Sequence, residues 1–333
     1  MAREISAVAD VEFHPGAQAV NLLRTGSRRA DTEAAADACR RAVSLRTLAH
    51  KVICVTVTLI RFNYQDRSRR NPIPVAAVAP SRAVLPELRT RDSTTGVCNH
   101  RRVSNLKLVC LPFAGSGASF FRNTKSPEGI DLLPIQLPGH EERFIDPPFV
   151  DVRTAAAEVA DYVRAESDSD SRILVFGHSM GAILAFETAL ALGAMVDHVF
   201  VSGSPDPWHP RSERASTLTD EEFMAKVEAF AGYTHPALAN PEMRQLILPI
   251  LRADVLMHES YIAGSGTVID VPITALRGTD DALVSEADML GWRNATTSNF
   301  SIETVQGGHM YLADRLEETL EFIAETTRIS HGK

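Results

Sequence analysis

From residue 106 onward the sequence alternates between two kinds of segment. LKLVCLP, IDLLPIQLP, RILVFG, HVFVSGS, VPITALRG and FSIETVQ are short apolar runs bounded by glycine, proline, serine or acids. Such runs predict buried strands. Between them lie helical patterns. VRTAAAEVADYVRAE places Val152, Ala156, Val159 and Val163 at helical spacing, MGAILAFETALALG closes at Gly193, and LADRLEETLEFIAET is amphipathic. Strands alternating with helices predict an α/β fold, a mostly parallel sheet with helices on both faces. One stretch breaks the rhythm. Residues 207–264 hold no strand pattern but two helical ones, TDEEFMAKVEAFAG and NPEMRQLILPILRADVLMHESY. An inserted helical cap over about 207–264 is the expectation.

The chain before this pattern is different in kind. Residues 1–105 carry 17 Lys or Arg against 9 Asp or Glu, whereas residues 106–333 carry 17 against 33. The expected organisation is a basic, poorly defined extension over 1–105, largely disordered, then a folded domain over 106–329. Within the extension, 31–50 reads as a helix and 51–64 as a strand. The arginines are scattered and lack interleaved aromatics, so no nucleic-acid partner is expected. No run approaches about 18 apolar residues, so no membrane span is expected. The first residues, MAREISAVADVEFHPG, have no apolar signal core. Cys39, Cys54, Cys98 and Cys110 show no CxxC or zinc-site spacing, which predicts free thiols in a reducing, cytoplasmic setting.

The segment GHSMG sits between RILVF and AILAFETALAL. It fits G-x-S-x-G in the strand–turn–helix context that this motif requires. Ser179 stands at the apex of a strained turn. Gly177 and Gly181 let strand and helix pass closely, and the Met180 amide at the helix start points at any oxyanion formed there. A serine needs a base. In this architecture an acid and then a histidine follow the serine in chain order. His309, in VQGGHMYL after the last strand, lies at the carboxyl edge of the sheet, as Ser179 does. His258 falls inside a cap helix and His331 in the tail. The acid is expected just past VPITALRG. Asp280 and Asp281 both qualify, and turns favour Asp for local bonds. The spacing from Gly278 to Val284 selects Asp281. A second oxyanion amide is expected from PFAGSGAS, from Ala114 or Phe113. That loop lacks the glycine and lysine pattern of a nucleotide site.

Four stretches together make the domain resemble the type II thioesterases, the stand-alone α/β-hydrolases of polyketide and nonribosomal peptide biosynthesis. They are LVCLPFAGSGASFF, IQLPGHEERF, FGHSMGAILAFE, and LPILRADVLMHESY with its sequels PITALRGTDDALVS and GGHMYL. The chain departs from the family pattern at Gly115–Ser116, where Gly-Gly is commoner, at His140, where arginine is frequent, and at Ala282, where proline is frequent. The resemblance implies an α/β-hydrolase fold and a Ser179–His309–Asp281 triad with an oxyanion hole from the Ala114 and Met180 amides. It implies hydrolysis of acyl groups from the phosphopantetheine arm of acyl or peptidyl carrier proteins, with no cofactor and no metal. The implied role is editing of stalled synthases, with the cap gating access. A general carboxylesterase or lipase, and a non-catalytic hydrolase-like binding protein, are the rival readings. Two local readings also stay open. Glu142 and Arg143 read equally as a simple surface pair. Met243, Leu246, Ile250 and Leu251 read as core packing or as an acyl tunnel.

Overall fold

The computed structural model describes residues 105–210, 214–231, 238 and 240–331. The helix expected at 31–50, the strand at 51–64 and nearly all of the extension lie outside the described residues.

Among the described residues, six strands form one sheet: β1 (Leu106–Leu111), β2 (Asp131–Pro134), β3 (Arg172–His178), β4 (Val196–Ser202), β5 (Ile273–Gly278) and β6 (Phe300–Val305). Their order is β2-β1-β3-β4-β5-β6, and every neighbouring pair is parallel. Side chains alternate across a strand, so each strand feeds two cores. Val109, Leu111, Ile173, Val175, Val199, Val201, Ile273 and Ala275 face one side. Leu108, Cys110, Leu174, Phe176, Phe200 and Leu276 face the other.

Among the described residues, seven helices flank the sheet: α1 (Ser119–Arg122), α2 (Val152–Ala165), α3 (Met180–Leu192), α4 (Asp220–Ala231), α5 (Pro241–Ser260), α6 (Glu286–Leu290) and α7 (Leu312–His331). On α2 the buried residues are Val152, Ala155, Ala156, Val159, Ala160 and Val163. Asp151 caps its start, accepting from the Thr154 amide at 2.8 Å. Helix α3 is buried nearly all round, packed between sheet, α2 and α5. On the opposite face α7 contributes Leu312, Leu320, Ile323 and Ala324. No helix among the described residues is long and apolar enough to cross a membrane.

Helices α4 and α5 lie between β4 and β5, in the region that the sequence reads as a cap. They share a small core of Phe223, Leu248 and Leu251, with Ala215 and Leu238 from the connecting segments. Arg252 donates to the carbonyls of Ser216 and Leu218 at 2.7 and 2.8 Å, fastening the segment that enters the cap to α5. Helix α6 escaped the sequence reading. Its signal was local, a capping box between Ser285 and Asp288. The helix is short because a 3-10 turn, Gly291–Ala295, follows at once and buries Trp292.

Strands β2 and β3 lie on opposite sides of β1 although they follow it in turn. The sheet therefore reverses its direction of growth at β1/β3. In open parallel sheets a crevice forms outside the carboxyl ends of the strands at such a point. The loops after β1 and β3 are the two walls of that crevice.

Candidate active site

Ser179 follows β3 directly and precedes α3. Its backbone takes φ 54° and ψ −117°, a conformation that costs of order 1–3 kcal/mol for a residue with a side chain. The surroundings impose it. The Ser179 amide donates to the Ser202 carbonyl at 2.7 Å, and its carbonyl accepts from Ala182 at 3.0 Å. A Cβ on Gly177 would lie 1.9 Å from the Gly181 carbonyl oxygen. Strand and helix thus touch backbone to backbone, and the serine is pushed out of the chain's path.

The acid and histidine loops meet the same way. A Cβ on Gly278 would lie 2.4 Å from the Gly308 carbonyl oxygen. The Asp280 amide donates to the Gly307 carbonyl at 2.9 Å. This contact brings His309 Nδ1 within 2.9 Å of Asp281 Oδ2, and His309 Nε2 within 3.4 Å of Ser179 Oγ. A carboxylate only accepts, so Nδ1 carries the proton and Nε2 offers its lone pair to the serine hydroxyl. The serine contact is long for a hydrogen bond between neutral groups. Such contacts tighten when substrate binds.

Asp281 is buried, while Asp280 is exposed and accepts only from the Thr279 hydroxyl. Asp281 Oδ1 accepts from the Leu283 and Val284 amides at 2.9 and 3.1 Å. Arg277 donates to the carbonyls of Asp281 and Val284, closing the loop. Burial alone would raise the Asp281 pKa. Hydrogen bonding from His309, its charge, and the two amides outweigh that, and the carboxyl sits below its ordinary range.

Met180 is the first residue of α3, where helix amides have no partner within the helix. Phe113 and Ala114 lie in the loop after β1. That loop turns through a bond from the Ser116 amide to the Phe113 carbonyl at 3.0 Å. The five sequence-picked residues, Ser179, Asp281, His309, Met180 and Ala114, all stand just past the carboxyl ends of β1, β3, β5 and β6, Met180 at the start of α3 and the others on the connecting segments.

Several residues escaped the sequence reading. His178, inside the GHSMG motif, is fully buried. Its Nδ1 lies 2.8 Å from Ser202 Oγ, which lies 2.6 Å from the Tyr311 hydroxyl. Burial, then the neighbouring His309, push its pKa down to about 3. The ring is neutral. His140 and Asp254, from the LPGHEERF turn and the cap, form a buried pair at 2.9 Å. Nothing in the spacing of 114 residues between them announces it. Of the readings left open, a surface pair of Glu142 with Arg143 is not what forms. Arg143 instead pairs with Asp146 and Glu158, and Glu142 pairs with Arg122. On α5, Leu251 is buried and Met243, Leu246 and Ile250 are half-buried. Leu251 and Ile250 pack against Gly115 and Gly139, in the crevice wall and the LPG turn.

Residues 106–327 match the family model described as a thioesterase domain. Thioesterase PikA5 of Streptomyces venezuelae is 32% identical over 238 residues, covering 69% of this chain and 83% of its own. Gramicidin S biosynthesis protein GrsT of Aneurinibacillus migulanus is also 32% identical over 238 residues, covering 69% and 92%. Among solved structures, the type II thioesterase BorB from the borrelidin biosynthetic cluster superposes with a TM-score of 0.59. It is 31% identical and covers 66% of this chain and 91% of its own. The sheet order, the cap and this likeness together give the α/β-hydrolase fold.

Proposed function

This chain belongs to the thioesterase family, and we propose that it hydrolyses acyl thioesters held on the phosphopantetheine arm of acyl or peptidyl carrier proteins. The observation that carries this reading is the Ser179–His309–Asp281 relay, at 3.4 and 2.9 Å, in the crevice at the sheet's reversal point.

Ser179 Oγ attacks the thioester carbonyl while His309 Nε2 takes its proton. Asp281 holds the imidazole in the required tautomer and stabilises the imidazolium, without taking the proton. The Met180 and Ala114 amides receive the tetrahedral oxyanion. Collapse breaks the C–S bond. The carrier thiol leaves with the proton from His309, and an acyl-serine remains. Water then adds to the acyl-serine, giving a proton to His309 and hydroxide to the carbonyl. The free acid departs, and Ser179 regains its proton from His309.

The gramicidin S and borrelidin biosynthetic settings of GrsT and BorB support an editing role in such an assembly line, clearing stalled acyl groups from carrier arms. The half-buried apolar residues of α5 beside the crevice support a place for the acyl chain. The buried free thiol of Cys110 supports a reducing, cytoplasmic setting.

Turnover of acyl-pantetheine thioesters against matched oxyesters tests the substrate class. A thioester preference is expected, and an oxyester preference would return the chain to the general esterases. Fluorophosphonate labelling that disappears in Ser179→Ala is the matching test of the nucleophile. Labelling that persists would overturn it, and no labelling of the parent protein would favour a binding role.

A further inference from the structure

Asp254 lies within α5 and is 2% exposed. Its Oδ2 accepts two hydrogen bonds, from the Gly115 amide at 2.7 Å and from His140 Nε2 at 2.9 Å. The other ring nitrogen of His140, Nδ1, lies 3.0 Å from the Pro138 carbonyl oxygen. Both partners of the ring are acceptors. A neutral imidazole has one N–H and would turn a lone pair toward one of them. Only the doubly protonated ring satisfies both.

The charges facing His140 are few. Asp254 comes from α5 and Glu141 from its own turn. The loop 113–119, joined to it through Asp254, has no ionisable side chain. Burial works against protonation. The Asp254 charge and hydrogen bond, with the Pro138 carbonyl, outweigh it and hold the imidazole above its ordinary range.

The neighbouring residue reaches the same loop. Glu141 has φ 44°, and its carboxylate accepts from the Ser119 amide at 3.2 Å and from the Ser119 hydroxyl. The loop after β1 is therefore gripped at Gly115 and at Ser119 by two consecutive residues of one turn. Glu141 acts directly and His140 acts through Asp254.

We propose that His140 is a positioning residue for the reaction: its charged ring, acting through Asp254, holds the Gly115 peptide and so aims the adjoining Ala114 amide at the oxyanion. The proposal rests on the thioesterase reading above, with Ala114 as an oxyanion donor. Oxyanion donors work by being fixed in place before charge develops. Once His140 loses its proton, Asp254 is a buried carboxylate without its counter-charge, and its grip on Gly115 loosens. The loss falls on the chemical step, because substrate binding does not need the oxyanion contact.

The test measures kcat and KM of the full chain on an acyl-pantetheine thioester across pH. In the parent protein kcat falls at alkaline pH as His140 becomes neutral. His140→Gln is expected to lower kcat by roughly ten- to a hundredfold, up to the lower end of what losing a donor costs, with KM nearly unchanged. His140→Arg keeps a charged donor toward Asp254. It is expected to restore most of kcat and to carry the alkaline fall beyond the range of the assay. A kcat in His140→Gln within about twofold of the parent, or a parent-like alkaline fall in His140→Arg, would overturn the proposal. Should His140→Gln not fold, nitrogen-15 NMR of the parent histidines decides the matter. The resonance that His140→Arg removes must report a doubly protonated ring above pH of about 6.5; a neutral ring there sinks the idea. Ser179→Ala separates the two claims. If it stays active, the catalytic reading itself fails. If it is inert while His140→Gln is unaffected, only the positioning role fails.

Discussion

The two walls of the crevice are held by different physics. The wall that carries Ser179 is held by backbone contact. Gly177 meets Gly181, the strained serine is locked by its bonds to Ser202 and Ala182, and the buried His178 beside it is neutral. The wall that carries Ala114 is held by charge. Asp254, His140 and Glu141 reach in from the cap and a distant turn to grip a loop with no charges of its own. Steric contact does not titrate, and a buried ion pair does. One wall should therefore be rigid across pH and fragile to added volume, and the other the reverse.

The largest effect should come from the relay that joins the walls. His309→Ala and Asp281→Asn are each expected to cost at least about three orders of magnitude in kcat. Asp280→Asn, one residue away and exposed, should stay within about twofold. Steady-state rates of the three variants check this, and equal losses at 280 and 281 would show that the loop rather than the carboxylate matters.

Next in size is the steric wall. Gly177→Ala forces a methyl to within 1.9 Å of the Gly181 oxygen. Strand and helix must separate, and a loss of stability of about 3 kcal/mol or more is expected by denaturant unfolding, alike at all pH. A mild effect there would mean that the two backbones are less closely joined than they stand.

Smaller per pH unit are the effects of two of the buried histidines, His178 and His140, and here their signs oppose. His178 has a folded pKa of about 3, below its ordinary 6.5. Only the unfolded chain takes up its proton in that interval, so stability declines as pH falls from 6.5 toward 3, by about 1.4 kcal/mol per pH unit at most. His178→Gln should flatten that slope. His140 is raised, so its contribution is complete below the unfolded pKa and is lost as pH climbs through the folded one. His140→Gln should flatten the alkaline side instead. Unfolding midpoints across pH for the two variants distinguish the arms, and identical slopes in both would erase the contrast between the walls.

The smallest effect is expected outside both walls. Removing residues 1–100 should leave kcat and the unfolding midpoint of the enzyme nearly unchanged, since the family match begins at residue 106. A large loss in either measurement would make the extension part of the working protein.

The legibility of the molecule follows the same division. The parallel sheet was readable because its inner strands β1, β3 and β4 are mostly apolar runs, with both faces of the sheet covered. Helices α4 and α5 fall in a gap in that rhythm. Ser179 and Met180 were readable because a backbone-to-backbone crossing leaves glycines at fixed offsets. Asp281 and His309 were readable because each stands just past a strand end in a turn. Helix α6 was missed although Ser285 and Asp288 announced it. Glu142 and Arg143 invited pairing as neighbours, yet the 3-10 turn at Glu141–Arg143 sends their side chains to different partners.

Sequence alone determined the fold class, the crevice's place in it and the residues that meet there, because periodicity, glycine spacing and strand-end position are local properties of a chain. Tertiary structure alone decided which charges hold the loop after β1. Asp254 and His140 lie 114 residues apart, and nothing in that spacing announces that the two side chains meet. The protonation of the buried histidines was decided the same way. His178 and His140 are the same side chain, and only what surrounds each ring makes one neutral and the other charged.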